Sequence, residues 1–231
     1  MFELNYSKIN SYIFCNYLYK FIYIDGKYTK HNSRTSFGIS IHKALKDFAA
    51  NKSDLKSLLY SYEEKWCNVG YSNPRQMMEY YYKGIDLIKN FYHYEQKRNS
   101  KIIYSEDFFE VPINNDFIIR GTVDRVDLND DGSVNIIDYK LGLDENSDFV
   151  KNNLQLSIYA YGISKKYSLK VSNLIYYYIT GLKEINVEYI GEEKLLELIL
   201  SYGKKMKDMV FEKKGNCGIC LAKHICQYYD L

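Results

Sequence analysis

The sequence has little net charge, almost no proline and no long apolar run. Among its 231 residues, 31 Lys and Arg stand against 29 Asp and Glu, for a net charge of +2. That balance excludes a strongly basic, nucleosome-type binder and a protein built around an acidic tail. It leaves room for a local basic groove, because net charge says nothing of distribution. A membrane helix needs about 20 consecutive apolar residues. In the opening MFELNYSKINSYIFCNYLYKFIYI, Asn, Lys and Ser interrupt every apolar run, and no charged n-region precedes them. No membrane association and a cytoplasmic setting are therefore expected. Repeats and low-complexity linkers are also missing. Hydrophobic residues make up 46% and charged residues 26%, which excludes a disordered chain. The length suits one domain, or one domain with an appendage.

Only 2 prolines accompany 26 tyrosines. Lys, Asn and Ile are frequent as well, the bias of an AT-rich genome. Most tyrosines are read as amphipathic residues at the edge of the core, and a minority as able to stack on bases.

Periodicity divides the chain into helical, extended and again helical stretches. Residues 37–50 place Ile41, Leu45 and Phe48 at helical spacing. Residues 54–66 and 74–97 predict two more helices, with Pro74 in the first turn of the second. From 101 the period changes. KIIYSEDFFEVPI and DFIIRGTVDRVDL predict strands joined at Asn114–Asn115, and Asp130-Asp131-Gly132 predicts a second hairpin turn into SVNIIDYKLG. A helix over 150–167, a buried strand VSNLIYYYIT, an edge strand INVEYI and a helix over 192–210 complete the order. The last helix sets Leu195, Leu198, Ile199, Tyr202, Met206 and Met209 near one face. This is an α/β chain of mixed α+β character.

The second hairpin turn carries a chemical consequence. Antiparallel partners lie equidistant from their turn, so a turn centred near 131 sets Asp124 opposite Asp138. Directly opposed side chains lie about 4.5–5.5 Å apart at Cβ. Two carboxylates there repel, and a divalent cation removes the conflict. Lys140, two residues beyond Asp138, points to the same face. An ammonium beside a metal site orients water and offsets charge on a phosphoryl transition state. Gln155 and Tyr159 are four apart, so they share one face of the following helix. Each piece alone is commonplace; the order and spacing of the set give it weight.

Gly121-Thr122-Val123-Asp124, then Ile136-Ile137-Asp138-Tyr139-Lys140, then Gln155-Leu156-Ser157-Ile158-Tyr159 together resemble the PD-(D/E)xK nuclease superfamily. More narrowly they resemble its RecB-like branch, which has Gly-x-x-x-His ahead of these motifs. Here Gly38-Ile39-Ser40-Ile41-His42 stands in that place. The resemblance implies a restriction-endonuclease-like core, a central mixed sheet flanked by helices. It implies that His42, Asp124, Asp138 and the backbone carbonyl of Tyr139 ligate magnesium or manganese. Lys140 then helps activate water, while Gln155 and Tyr159 support the site and the DNA phosphate.

Cys217, Cys220 and Cys226 form a C-x2-C-x5-C cluster, and Cys15 lies far upstream. In a reducing compartment such thiols are metal ligands or free thiols rather than disulfides. Three clustered thiols plus a distant one suit a four-thiolate iron–sulfur cluster. Zinc is the lesser alternative, and His224 a rival ligand. Cys67, beside Trp66, is read as a small, partly buried hydrophobe. The arrangement again resembles the iron–sulfur subgroup of RecB-like nucleases, the AddB-type and CRISPR-associated enzymes. That resemblance implies a structural 4Fe–4S cluster on Cys15, Cys217, Cys220 and Cys226, stapling the ends of the chain.

The resulting expectation is a single nuclease domain over 1–231. Its nuclease core is 37–190, and 1–36 with 192–231 form the cluster-bearing appendage. The function expected is a metal-dependent DNA nuclease, an exonuclease preferring single-stranded or frayed DNA, in repair, recombination or CRISPR-type processing. Asp138 stands where the CRISPR-associated group often has Glu, so the Asp-Tyr-Lys form is closer to RecB and AddB. Those are usually fused to helicases, and no helicase motif is present; the chain is expected to be either a free-standing nuclease or one that works with a separate partner, a helicase or a DNA-integration complex. A catalytically inactive DNA-binding or scaffold subunit with a structural metal cluster is the alternative. Lys204, Lys205, Lys207, Lys213 and Lys214 form either a solvated face or a track for the DNA backbone.

Overall fold

The computed structural model describes residues 1–27, 31–51, 54–98, 100–142, 153–212, 217–220 and 222–229. The chain divides into two compact units. One comprises Met1–Lys30, Phe109–Gly121 and Ile190–Leu231; the other comprises His31–Phe108 and Thr122–Tyr189. The second carries the acidic and lysine motifs, the first the clustered cysteines.

In chain order the elements are β1 (Phe2–Leu4), α1 (Tyr6–Phe14), α2 (Asn16–Tyr19) running into a π-turn (Lys20–Ile24), α3 (Ser33–Asn51), α4 (Leu55–Glu64), α5 (Pro74–Arg98), β2 (Lys101–Pro112), β3 (Phe117–Leu128), β4 (Val134–Lys140), α6 (Leu154–Tyr167), β5 (Val171–Tyr178), β6 (Lys183–Val187), α7 (Glu192–Lys207) and a 3-10 turn (Cys217–Ile219). The strands form one mixed sheet in the order β1-β3-β4-β5-β6, with β2 also paired to β3. Pairing is parallel for β1/β3 and β4/β5, and antiparallel for β3/β4 and β5/β6. This is a mixed α/β fold of the restriction-endonuclease-like kind, a mixed sheet flanked by helices.

Local chemistry accounts for the boundaries. Asp54 caps α4 by accepting from Ser57 N at 2.7 Å, and Asn73 caps α5 by accepting from Gln76 N at 2.9 Å. Pro74 then occupies the first helical position, where a missing N–H costs nothing. Asn114 Oδ1 accepts from the N–H groups of Asp116 and Phe117, closing the loop between β2 and β3. Gly132 takes φ +80 in the next turn, and Asp131 Oδ1 accepts from Ser133 N at 2.9 Å.

The core of the second unit gathers Phe37, Ile41, Leu45 and Phe48 of α3, Leu58 and Tyr62 of α4, and Leu87, Ile88 and Phe91 of α5. These lie on alternate sheet residues Ile137, Tyr139, Ile175 and Tyr177. The intervening residues of β4, Ile136 and Asp138, belong to the opposite face by strand alternation, and α6 packs against β4 and β5. Beneath the helical face lies a buried ionic lattice. Arg125 holds Asp127 through two bonds of 2.6 and 2.8 Å and Glu95 through one of 2.8 Å; Arg98 bridges Glu95 and Glu184.

Three expectations need correction. The helix expected over 192–210 ends at Lys207: Met209 adopts φ +54, and Val210 N bonds back to Lys205 O, a helix-terminating pattern. Met209 is consequently 55% exposed instead of lying on the buried face. The edge strand expected over 185–190 is β6, 183–187, because the Tyr178–Lys183 pairing starts it earlier. Residues before 37, left without elements by periodicity, form β1, α1, α2 and the start of α3. Residues 150–152 of the expected α6 lie outside the described residues, as do Lys213 and Lys214.

Candidate active site

The Asp124–Asp138 pairing depends on the β3/β4 register. Arg125↔Ile137, Val126↔Ile136, Asp127↔Asn135 and Leu128↔Val134 are partners. The next positions along this ladder are Asp124 and Asp138. The Asp124 carboxylate accepts from the Tyr139 backbone N–H at 2.8 Å, tying β3 to β4 at that point. His42 projects from α3, and its Nδ1 lies 3.5 Å from Asp124 Oδ2. The Tyr139 backbone also hydrogen-bonds His42. Both His42 and the Tyr139 main chain thus meet Asp124.

Around Asp138 a second set forms. Asp138 is buried, with its Oδ2 2.5 Å from Lys140 Nζ and its Oδ1 accepting from Gln155 Nε2 at 2.8 Å. Lys140 Nζ donates to Gln155 Oε1 at 2.9 Å, and Gln155 Nε2 lies 3.0 Å from the Tyr159 hydroxyl. One amide therefore orients the acid, the ammonium and the phenol. The i,i+4 spacing on α6 allows this, and the parallel β4-α6-β5 crossover delivers α6 to these strands. The Lys140 ammonium also lies 5.3 Å from the centre of the Tyr176 ring.

Electrostatics follow from burial. Asp124 is raised well above the usual carboxylate range, first by burial and then by the Asp138 charge; the Tyr139 N–H opposes both. His42 is lowered, by burial first and by Lys140, against the pull of Asp138. Its imidazole is therefore neutral, with a free electron pair for a metal, at neutral pH.

Glu106 of β2 was not singled out by its sequence position. Ligand atoms of His42, Glu106 and Asp124 lie within 4.8 Å of one another. Asp138 stands beside that trio, with Lys140 and Gln155 against its two oxygens. Glu106 takes φ +49 inside a strand, a conformation costing a non-glycine residue about 1–3 kcal/mol. The only sequence sign is Ser105-Glu106-Asp107, three polar residues that break strand alternation.

The donors suit a hard divalent cation, being carboxylates with one imidazole. Among the described residues Asp138 Oδ2 is a buried oxygen without a hydrogen bond, facing the Lys140 ammonium. With Asp124 raised by the charge of Asp138, the carboxylates are short of positive charge, and a divalent ion fits them.

In the first unit, Cys15 separates α1 from α2, Cys217 opens the 3-10 turn, Cys220 follows it, and Cys226 lies between two later turns. The Cys220 thiol is pushed up by burial and then by the charges of Cys226, Cys15 and Cys217. All four cysteines thus act on one locality. Tyr228 braces it, stacking on Tyr17 at 4.5 Å and donating to Asp25 at 2.7 Å. His224 is exposed. Cys67 belongs to the other unit, where its N–H donates to Ser40 Oγ. Lys204 and Lys205 are exposed on α7, and Lys207 pairs with Asp116 at 2.9 Å. No helix among the described residues is long and apolar enough to cross a membrane.

The family model of the PD-(D/E)XK nuclease superfamily matches residues 3–227. No curated protein sequence matches the chain. Among solved structures 26 chains match. One, described as "Crystal structure of SSO0001", covers 83% of this chain and 84% of its own at 15% identity, with a TM-score of 0.42.

Proposed function

The chain belongs to the PD-(D/E)XK nuclease superfamily, whose members are metal-dependent nucleases, and we propose that it is a deoxyribonuclease of the RecB-like branch. The observation that carries the reading is the Lys140–Gln155–Asp138 chain of hydrogen bonds beside the His42–Asp124 pair. His42, Asp124, Asp138 and the Tyr139 carbonyl hold magnesium or manganese, which supplies Lewis acidity to the phosphodiester. Lys140, oriented by Gln155, positions the attacking water and offsets charge on the phosphoryl oxygens. Tyr159, linked to Gln155, contacts the DNA backbone. Gly38-x-x-x-His42 and Asp-Tyr-Lys at 138–140 support the RecB-like branch, and with it an exonuclease acting on single-stranded or frayed DNA in repair, recombination or CRISPR-type processing. A separate helicase or a DNA-integration complex is the proposed partner.

Cys15, Cys217, Cys220 and Cys226 hold a structural 4Fe–4S cluster in the appendage formed by 1–36 and 192–231. The three-plus-one spacing of the cysteines supports the cluster, with zinc as the lesser alternative.

The test is cleavage of end-labelled oligonucleotides, single-stranded and duplex, titrated with magnesium and with manganese. Metal-dependent degradation by the wild type, lost in Lys140→Ala with DNA binding retained, is the expected result. DNA binding without cleavage at any metal concentration would identify a scaffold subunit instead. Visible absorption of anaerobically purified protein, lost in Cys217→Ala, tests the cluster; colourless protein containing zinc overturns it.

A further inference from the structure

Glu106 stands where an alternating strand would not put it. From Phe108 to Pro112 β2 alternates between exposed and buried residues, but around Glu106 the alternation stops. The residues on either side are fastened to different helices. Ser105 Oγ donates to the Lys46 carbonyl of α3 at 3.1 Å. Asp107 accepts from Lys166 Nζ of α6 at 2.9 and 3.0 Å and from the Tyr167 hydroxyl at 3.1 Å. Tyr104 stacks on Tyr167 at 4.3 Å, holding the same strand to α6. These ties flank the left-handed backbone of Glu106 on both sides. Its carboxylate shares a 4.8 Å locality with His42 and Asp124, and Asp138 and Lys46 act on it electrostatically.

Left unneutralised, that arrangement crowds three carboxylates. The Lys140 ammonium is engaged by Asp138 and Gln155, and among the described residues Asp138 Oδ2 is buried without a hydrogen bond. A positive charge between Glu106, Asp124 and His42 resolves the crowding, because each then offers it one donor atom.

We propose that Glu106 is a metal-binding carboxylate of this site, acting with His42 and Asp124. The inference rests on the metal-dependent nuclease reading above. Its role is to set affinity for the cation and to hold it on the β2 side of the site, so it is more than a structural residue of the strand.

Manganese binding to the full-length protein without DNA, measured by electron paramagnetic resonance of the free ion, tests this independently of turnover. Glu106→Gln, nearly isosteric, should weaken manganese binding about 10–100-fold, the range seen when groups supporting a metal site are lost. Its metal-free melting temperature should equal or exceed that of the wild type, since a like charge has been removed. A melting temperature lowered with the manganese Kd within twofold of wild type means a structural role and overturns the proposal. If Glu106→Gln does not fold, Glu106→Asp carries the test, because retracting the carboxylate by one methylene should also weaken binding; an unchanged Kd overturns the proposal. A wild type that binds manganese and cleaves DNA while Glu106→Gln binds equally well removes Glu106 alone. A wild type that neither binds manganese nor cleaves removes the nuclease reading and Glu106 together.

Discussion

Gln155 accepts a hydrogen bond from Lys140 through its side-chain oxygen at 2.9 Å. Its amide nitrogen faces Asp138 and Tyr159. An amide is suited to this position, since it offers an acceptor to the ammonium and donors to the acid and the phenol. Gln155→Ala should lower kcat about 10–100-fold while leaving the Kd for DNA within about twofold. Gln155→Glu, which cannot donate to Asp138, should be no better. Single-turnover cleavage with a separate binding assay measures both quantities; an unchanged kcat in Gln155→Ala would detach Gln155 from the function of Lys140.

Asp124 is pushed up by burial and by Asp138. A carboxyl raised in the folded state favours its protonated form. Its contribution to stability is full below the ordinary carboxylate pKa, about 3.9, and is lost as pH rises through the raised value. A cation needs the ionised form and competes with the proton. The rise in melting temperature given by manganese should therefore grow as pH rises above the ordinary carboxylate range. Asp124→Asn keeps an acceptor for the Tyr139 N–H, so the metal-free variant should melt no lower than wild type and lose the manganese-induced rise. Differential scanning fluorimetry across pH, with and without metal, reads both effects.

Arg125 is fully buried and bonded to Asp127, Glu95 and the Tyr139 hydroxyl. Removing a buried cation strands the acids that faced it. Arg125→Ala should cost about 3–5 kcal/mol, measured by urea unfolding. A loss below about 1 kcal/mol would mean that water or Arg98 takes over the charge.

Gly84 lets α5 approach α4. A Cβ there would stand 2.0 Å from the Tyr62 hydroxyl and 3.1 Å from a Phe37 ring carbon. Tyr62 is buried and its hydroxyl donates to the Tyr81 carbonyl, so it cannot simply swing away. Despite alanine's better helix propensity, Gly84→Ala should destabilise the protein by about 1–3 kcal/mol. A neutral or raised melting temperature would show that the ring can move.

Much of the fold was legible because it depends on neighbours in the chain. Asp130-Asp131-Gly132 sets a turn, and a turn sets register, so the Asp124–Asp138 ladder position followed from residue types alone. Pro74 and Asn73 mark the start of α5 for equally local reasons. Gln155 and Tyr159 meet because a helix brings residues four apart together. Arg125 was not legible as a buried residue. An arginine in an alternating strand is usually solvated, and its burial depends on Glu95, which arrives from a helix thirty positions earlier.

Local grammar, the glycine turns, helix caps and period-2 and period-3.6 patterns, was enough for the order of elements from α3 onward, and it marked 38–42, 121–124, 138–140 and 155–159 as candidate motifs. The partners of each acid came from three-dimensional packing. Asp138 is engaged by Lys140 and Gln155, whereas Glu106 is turned toward His42 and Asp124 by ties from Ser105 to α3 and from Asp107 to α6. The physical cause is range: turns and caps are settled within a few residues, but the direction of a carboxylate is a balance of contacts among segments distant in sequence.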